Sequence, residues 1–234
     1  MKRIEEVAVI VQARLQSERV PQKMIRPFAG TTLVDIAVEK LLTSKVFDPS
    51  QLFLAVHEAE LIEIGSAHGV NVFHRSERSA RAEGMPLTLL YEWWDQLPFD
   101  YAVLVNACAP LLPIKSIDAF VDHYLSTAAD GLFGVVERRN YLWNAEGALI
   151  TESPGIGAAM DTKLVAPYYE AAHCLYAGRL DRIGDGIWMG DLGKPGDIEL
   201  FVVDELEAFD IDYPWQFRIG EELFHFTARQ DDAD

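Results

Sequence analysis

A basic loop follows the first apolar segment of the chain. Glu6–Gln12 is largely apolar and rich in β-branched residues, and the loop after it carries Arg14, Arg19 and Lys23 together with the hydroxyl of Ser17. Cations, a hydroxyl and free backbone N–H groups are the donors that a triphosphate requires. A solvated surface loop is the alternative interpretation. The glycine-rich dinucleotide fingerprint and the P-loop signature are both absent from this loop, which argues against a dinucleotide dehydrogenase and a P-loop ATPase.

Two aspartates near the end of the sequence have a spacing that suits a metal ion. Asp210 and Asp212 flank Ile211, and alternate residues of an extended segment face the same side. Mg²⁺ binds few carboxylates and completes its coordination with water and phosphate oxygens. The pair therefore predicts a Mg²⁺ site. The alternative is a helix N-cap, because Asp212 directly precedes Tyr213 and Pro214.

Alternating strand and helix patterns must position these residues. Short runs of β-branched residues predict strands buried on both faces, and the segments between them have helical periodicity. This order predicts an α/β fold, a Rossmann-like three-layer α/β/α arrangement with a mostly parallel sheet. In such sheets ligands bind at the carboxyl ends of the strands, where the basic loop lies. The predicted strands are Glu6–Gln12, Leu52–Val56, Val70–Phe73 and Tyr101–Val105, and the predicted helices are Leu33–Leu41, Ala59–His68, Leu87–Gln96 and Ile114–Ser126.

The pattern changes in the second half of the chain. Residues 131–165 contain strand-like pieces and turn residues, which predict a small β-rich arm or hairpin that packs on a partner subunit. A late strand is predicted at Ile198–Val203 and a final helix around Trp215–Leu223. We interpret residues 1–227 as a single domain and residues 228–234 as a disordered acidic tail.

Composition limits the possible partners. The 234 residues carry a formal net charge of −17, which repels nucleic acid and anionic membranes. Half of the residues are apolar, but no run approaches the ~18 apolar residues that a spanning helix needs. Two cysteines do not indicate a disulfide framework, and the N-terminal residues do not read as a signal peptide. We therefore expect a cytoplasmic location.

The basic loop resembles a known signature. Residues 8–45 look like the start of the cytidylyltransferase family that contains the CMP-sialic acid, CMP-KDO and spore-coat-type enzymes. The family pattern A-R-x-x-S-x-R-[LIV]-P-x-K matches residues 13–23, with Gln16 where many members have glycine. Phe209–Trp215 is similar to the corresponding aspartate segment of the sialic acid synthetases. The resemblance implies nucleotide binding by Ala13, Arg14, Ser17, Arg19 and Lys23, catalytic roles for Arg14, Lys23 and Asp210, and Mg²⁺ ligation by Asp210 and Asp212.

The resemblance is weaker in the middle of the chain. Asn106 can replace the family's base-reading glutamine, and its alternative is a strand-end cap. Arg75 resembles the arginine near the nucleotide, with a surface arginine as the alternative. His173 and Tyr176 fall where relatives line the sugar pocket, and a structural histidine is the alternative there. Leu112 cannot reproduce the arginine that relatives carry in this region.

The function implied by the resemblance is transfer of CMP from CTP to an acidic, sialic-acid-like (nonulosonic) sugar. Pyrophosphate would be released, Mg²⁺ would be the cofactor, and a homodimer would be the assembly. Two alternatives remain open: a glycosyltransferase that uses Asp210 and Asp212 as its D-x-D motif, and a non-catalytic nucleotide-binding relative. A pyrophosphate-release assay separates them.

Overall fold

Seven strands form one sheet in the computed structural model, which describes residues 1–81 and 86–231, and side chains only as far as Thr227. The sheet order is β3-β2-β1-β4-β6-β5-β7. Strand β6 runs antiparallel to both neighbours, and the other pairs are parallel. The expected mostly parallel α/β sheet is therefore confirmed. The strands are β1 (Val7–Gln12), β2 (Leu52–Val56), β3 (Asn71–His74), β4 (Tyr101–Val105), β5 (Gly131–Arg138), β6 (Tyr168–Arg179) and β7 (Ile198–Val202).

Helices cover the sheet on two sides, and β1 shows why. Its odd-numbered residues Val7, Val9 and Val11 belong to one apolar core, while Ala8 and Ile10 belong to a second core on the opposite face. Because both faces are buried, the strand is almost uninterrupted in apolar residues. The helices are α1 (Leu33–Leu41), α2 (Ala59–His68), α3 (Glu77–Ala80), α4 (Leu87–Leu90), α5 (Ile114–Ser126) and α6 (Pro214–Asp231).

The helix expected over Leu87–Gln96 is broken after one turn. Helix α4 ends at Leu90, and a 3₁₀ turn follows at Glu92–Asp95. The Leu90 carbonyl accepts hydrogen bonds from the Gln12 amide and the Arg75 guanidinium, while the Trp94 N–H donates to the Tyr91 carbonyl. Tertiary contacts have replaced the helical hydrogen bond that the local periodicity predicted.

Residues 131–165 differ from the expected β-rich arm. The first eight form β5 in the central sheet, and an isolated bridge pairs Trp143 with Leu149 beyond it. Leu132 and Val135 are buried within the sheet, so this part of the pattern is a core strand. We use "the arm" for residues 139–167, which connect β5 to β6.

The prediction of a disordered acidic tail at residues 228–234 also needs correction. Helix α6 continues to Asp231, so residues 228–231 are helical, and residues 232–234 lie outside the described residues. Ala228, Arg229 and Gln230 are good helix formers, so a polar segment can extend a helix that is already packed. Across residues 1–81 and 86–231, no helix combines the length and apolar character needed to cross a membrane.

Candidate functional site

A cavity of about 560 Å³ opens at the carboxyl ends of β1 and β4. Its volume is in the range of small-molecule sites. Four cations and two carboxylates, Glu18 and Asp212, line it, in a chain whose net charge is −17. Eight residues singled out from the sequence lie in this lining: Ala13, Arg14, Ser17, Arg19, Lys23, Arg75, Asn106 and Asp212.

Hydrogen bonds to neighbouring elements fix the basic loop. The Ala13 N–H donates to the carbonyl of Ala55 at the end of β2, at 3.2 Å. Two residues later the Leu15 N–H donates to a carboxylate oxygen of Glu58, at 2.9 Å. Gln22 has a left-handed backbone (φ 54°) and completes the turn before Lys23. The start of the loop is therefore held by β2 and Glu58, and its end is held by the Lys23 contact with Ile211, so it is not a loose surface segment.

The loop and the late aspartate segment meet at Lys23. Lys23 is 7% exposed, and its Nζ donates to the Ile211 carbonyl at 2.6 Å and to Asp212 Oδ1 at 3.3 Å. Arg19 approaches the other oxygen, Asp212 Oδ2, at 2.9 Å. Burial lowers the pKa of Lys23, but Cys108, Asp210 and Asp212 outweigh it and leave this pKa above its ordinary value. Lys23 is therefore a charged amine at neutral pH.

Packing positions the aspartate segment against the sheet. Ile211 is fully buried, and its N–H donates to the Cys108 carbonyl at 2.9 Å. The Gln216 side chain accepts from the backbone N–H groups of Asp212 and Tyr213, both at 2.8 Å. Gln216 thus pairs the two N–H groups that precede α6, and the Asp212 carboxylate is bonded to the cations of the loop. The helix-cap alternative for Asp212 does not match this geometry.

Asp210 is placed differently from Asp212. Its Oδ1 is buried and has no hydrogen-bond partner among the described residues. Burial, and secondly the charge of Asp212, raise the pKa of Asp210 to about 6, while Lys23, His173 and Arg19 oppose the shift. A buried carboxylate oxygen without a partner needs a cation or a proton. With Asp212 it offers the two hard oxygen ligands that suit Mg²⁺, so the residues fit the predicted metal.

Arg75 is not a surface arginine. It is 4% exposed, and its guanidinium donates to the Ser79 side chain at 3.1 Å and to the Ser79 carbonyl at 2.7 Å. Burial lowers its pKa to about 10, Glu92 opposes this, and the nearby Arg14 cation lowers it further. Arg75 remains charged at neutral pH, and with Arg14 it brings two cationic side chains to this end of the cavity.

Hydrogen bonds link three other predicted residues, Asn106, His173 and Tyr176. The Asn106 side chain donates to the His173 carbonyl and accepts from the Cys108 N–H, both at 2.9 Å. His173 Nδ1 lies 3.0 Å from the Tyr176 hydroxyl. His173 and Tyr176 do not line the cavity. Asp210 is likewise not among the residues that line the cavity, whereas Asp212 is.

Sequence reasoning missed three residues of the site. Gln12 lines the cavity and accepts a hydrogen bond from Trp93 Nε1 at 2.8 Å. Cys108 also lines it, and burial raises the pKa of its thiol to about 11, so it stays protonated beside Lys23. Glu58 anchors the loop. Only the position of Gln12 at a strand end was visible in the sequence; the other two required tertiary contacts.

Comparisons with known proteins show the family of this chain. A family model described as cytidylyltransferase matches residues 8–168. The post-translational flagellin modification protein B of Campylobacter coli is 24% identical over 94% of this chain and 95% of its own length. N-acylneuraminate cytidylyltransferase A of Danio rerio is 24% identical over 61% of this chain, and the match spans 33% of that protein.

A solved structure supports the fold. CMP:2-keto-3-deoxy-manno-octonic acid synthetase in complex with CTP superposes with a TM-score of 0.66 at 13% identity, covering 96% of this chain and 99% of that one. At this identity the likeness is one of fold. The family model covers well over half of the sequence and includes the entire basic loop. By that match, this chain belongs to the cytidylyltransferase family, as its motifs predicted.

Proposed function

We propose that this chain transfers the CMP part of CTP to a small acidic sugar of the sialic-acid-like class and releases pyrophosphate. The observation that carries the proposal is the meeting of Lys23 and Arg19 with Asp212 at one basic cavity. The family and the names of the relatives favour CTP and an acidic sugar over the nucleotide sugar of a glycosyltransferase.

The cations of the cavity provide the triphosphate site. Arg14, Arg19 and Lys23 carry charge toward the β- and γ-phosphates, where negative charge develops as pyrophosphate leaves. The Ser17 hydroxyl and the backbone of the loop add neutral donors. Because Lys23 is held by Ile211 and Asp212, its ammonium is oriented before the nucleotide arrives.

Asp210 and Asp212 would hold the metal. A Mg²⁺ ion bound there would neutralise phosphate charge and favour ionisation of the attacking hydroxyl. Asp210 would contribute the buried oxygen that has no partner among the described residues, and Asp212 would contribute a carboxylate that is also paired with Arg19 and Lys23.

The acceptor would approach from the side of His173 and Tyr176. Its hydroxyl oxygen forms a bond to the α-phosphorus, the bond from that phosphorus to the bridging oxygen of the β-phosphate breaks, and the hydroxyl proton passes to solvent. The protein contributes orientation and charge stabilisation, without a covalent intermediate.

The direct test is pyrophosphate release from CTP and Mg²⁺ with N-acetylneuraminic acid and with 2-keto-3-deoxy-manno-octonic acid, and with no acid as the blank. We expect release that depends on CTP and on one acid. Binding of CTP without release for either acid would contradict the proposed transfer and favour a binding protein. Release of the nucleoside diphosphate from a nucleotide sugar would favour the glycosyltransferase.

Lys23→Met tests the role of the loop. It keeps the apolar stem of the side chain and removes the charge, so the loss should appear in turnover. Loss of one such charge contact costs ~3–4 kcal/mol of barrier, or roughly a few hundred-fold in rate. Lys115→Met, on the exposed side of α5, is the matched control and should keep the wild-type rate. Near-normal turnover of Lys23→Met would count against the mechanism.

We also propose that two copies associate through the arm. Several of its large apolar side chains are exposed in the monomer, namely Trp143, Ile150, Ile156, Met160 and Leu164. Such exposure is typical of surfaces that are covered in an assembly. The cytoplasmic location stays a prediction from composition.

A further inference from the structure

Asn106 stands where three backbone segments meet. It directly follows β4, and its own N–H donates to the Cys174 carbonyl of β6 at 2.9 Å. Its side-chain oxygen accepts from the Cys108 N–H, which forms an Asx turn at the start of the next loop. Its side-chain nitrogen donates to the His173 carbonyl. Both ends of the amide are therefore engaged by main chain, which fixes the plane of the side chain.

His173 adopts a backbone conformation that favours glycine. Its φ is 53°, and it lies in a β-bulge where the register between β5 and β6 shifts between Phe133 and Val135. A non-glycine residue in this region is strained and persists only where its surroundings hold it. The hydrogen bond from Asn106 to the His173 carbonyl is one such restraint. Opposite the bulge, Gly134 leaves room for the backbone, because a Cβ there would lie 3.1 Å from the Leu175 carbonyl oxygen.

The bulge sets the direction of the imidazole. The ring stacks edge-on against Phe133 at 6.4 Å between centroids, and Nδ1 is bonded to the Tyr176 hydroxyl. Among the described residues, Nε2 has no hydrogen-bond partner and the side chain is exposed. The ring is thus held on one side by Phe133 and Tyr176 and presents its other nitrogen to solvent.

We propose that Asn106 is a positioning residue for the acceptor, which holds His173 in its bulge so that the imidazole contacts the sugar, and that it does not select the base. This inference rests on the proposed function for the identity of the acceptor. In this assignment, Asn106→Ser removes the donor to His173 and keeps an oxygen near the Cys108 N–H. CTP binding therefore persists while the acceptor loses a contact.

The test distinguishes an effect on nucleotide binding from an effect on acceptor binding. Calorimetry with Mg²⁺ gives the Kd values of CTP and UTP for wild type and Asn106→Ser, and histidine-selective NMR, assigned with His173→Gln, follows the His173 ring. We expect the UTP-to-CTP Kd ratio to stay within about twofold and the ring signal to move. The KM of the accepted acid should rise about tenfold at an unchanged KM for CTP, as for loss of one hydrogen-bonded contact.

The second part of the test measures the energetic coupling between Asn106 and His173. In a His173→Gly background the strained conformation no longer needs holding, so adding Asn106→Ser should leave the KM of the acid unchanged. If the ratio of the UTP and CTP Kd values falls toward one while the His173 signal does not move, the proposal is overturned and Asn106 selects the base. If Asn106→Ser does not fold, Asn106→Asp, which keeps shape and acceptor, serves in its place. The calorimetric and NMR measurements need no turnover. Absence of any acid-dependent pyrophosphate release would therefore count against the proposed function alone.

Discussion

Asp210 and Asp212 are separated by one residue, yet only the Asp212 carboxylate is directly paired with cations. Asp212 is paired with Arg19 and Lys23, while Asp210 has a buried oxygen without a partner among the described residues. The pKa of Asp210 is raised from 3.8 to about 6. Between about pH 4 and about pH 6 the folded protein therefore keeps a proton that the unfolded chain has released, and the free energy of unfolding falls as pH rises. Above this window the ionised carboxylate is destabilising.

Asp210→Asn should therefore stabilise the metal-free protein at pH 7.5 while abolishing turnover. Removing the buried charge should gain on the order of 2 kcal/mol, allowing for partial solvent screening, or roughly 5 °C in the thermal midpoint. The gain should shrink toward pH 4, where wild-type Asp210 is protonated. Differential scanning calorimetry across this pH range measures it.

Asp212→Asn is the matched control for this prediction. It removes the anionic partner of the buried Lys23 and should lower the thermal midpoint. A lower midpoint for Asp210→Asn at pH 7.5 would show that the carboxylate has a stabilising partner, and would argue against Asp210 as a metal ligand.

At the scale of residues, the sequence predicted which residue types would form the site, but it did not predict which side chains would pair with each other. The spacing of Arg14, Arg19 and Lys23 predicted a basic site, and the structure brings these residues to one cavity with Asp212. Which aspartate would stay unpaired could not be predicted, because it depends on Lys23, 189 positions from Asp212. The engagement of the Asn106 amide by His173 depends on a contact across 67 positions.

At the scale of elements, helix α6 supports the aspartate segment through a close approach. Gly220 faces Ile211 and Phe209, and a Cβ on Gly220 would lie 3.0 Å from Ile211 Cδ1 and 3.2 Å from Phe209 Cε1. A larger side chain there must push the segment away from the helix. Since Ile211 lies between the two aspartates and its carbonyl accepts from Lys23, displacement would open the site.

Gly220→Val should raise the apparent Mg²⁺ requirement and lower kcat by about tenfold, as expected when catalytic groups shift from their productive geometry. Arg218→Val places the same β-branched residue at an exposed position of the same helix, and so controls for helix propensity. Its kinetics should match the wild type. Equal losses in both variants would mean that helix stability, rather than the contact with Ile211, is responsible.

The elements that the sequence predicted best are those buried on both faces or amphipathic over their whole length. Strands β2 and β4 and helices α2 and α5 have the predicted bounds. The predictions for the segment after Leu90 and for the first part of residues 131–165 were wrong, because the structure of both segments depends on partners elsewhere in the chain. The left-handed backbone of His173 has no local signal at all, since glycine is the residue expected at that φ.

At the scale of the whole molecule, the exposed apolar side chains of the arm predict a dimer of the 26.2 kDa chain. Size-exclusion chromatography with light scattering should give twice the monomer mass for the wild type. Replacing Trp143 and Ile156 by Glu should give the monomer mass, because two charges would be buried in the contact.

Leu192→Glu is the control for the dimer prediction, since Leu192 is an equally exposed apolar residue outside the arm. It should leave the mass of the assembly unchanged. A monomeric wild type at micromolar concentration, or dissociation by Leu192→Glu alone, would refute association through the arm.

The hydrogen bond from Lys23 to the Ile211 carbonyl joins positions 188 residues apart. During synthesis, the basic loop therefore emerges long before the segment that completes it, and a chain still lacking its last helix carries cations without their carboxylate counterparts. Under the proposed function, nucleotide binding would therefore require that the aspartate segment has been synthesised. A triphosphate bound in the folded protein would contact both the basic loop and the aspartate segment. It would therefore stabilise the folded state against unfolding that begins at either segment.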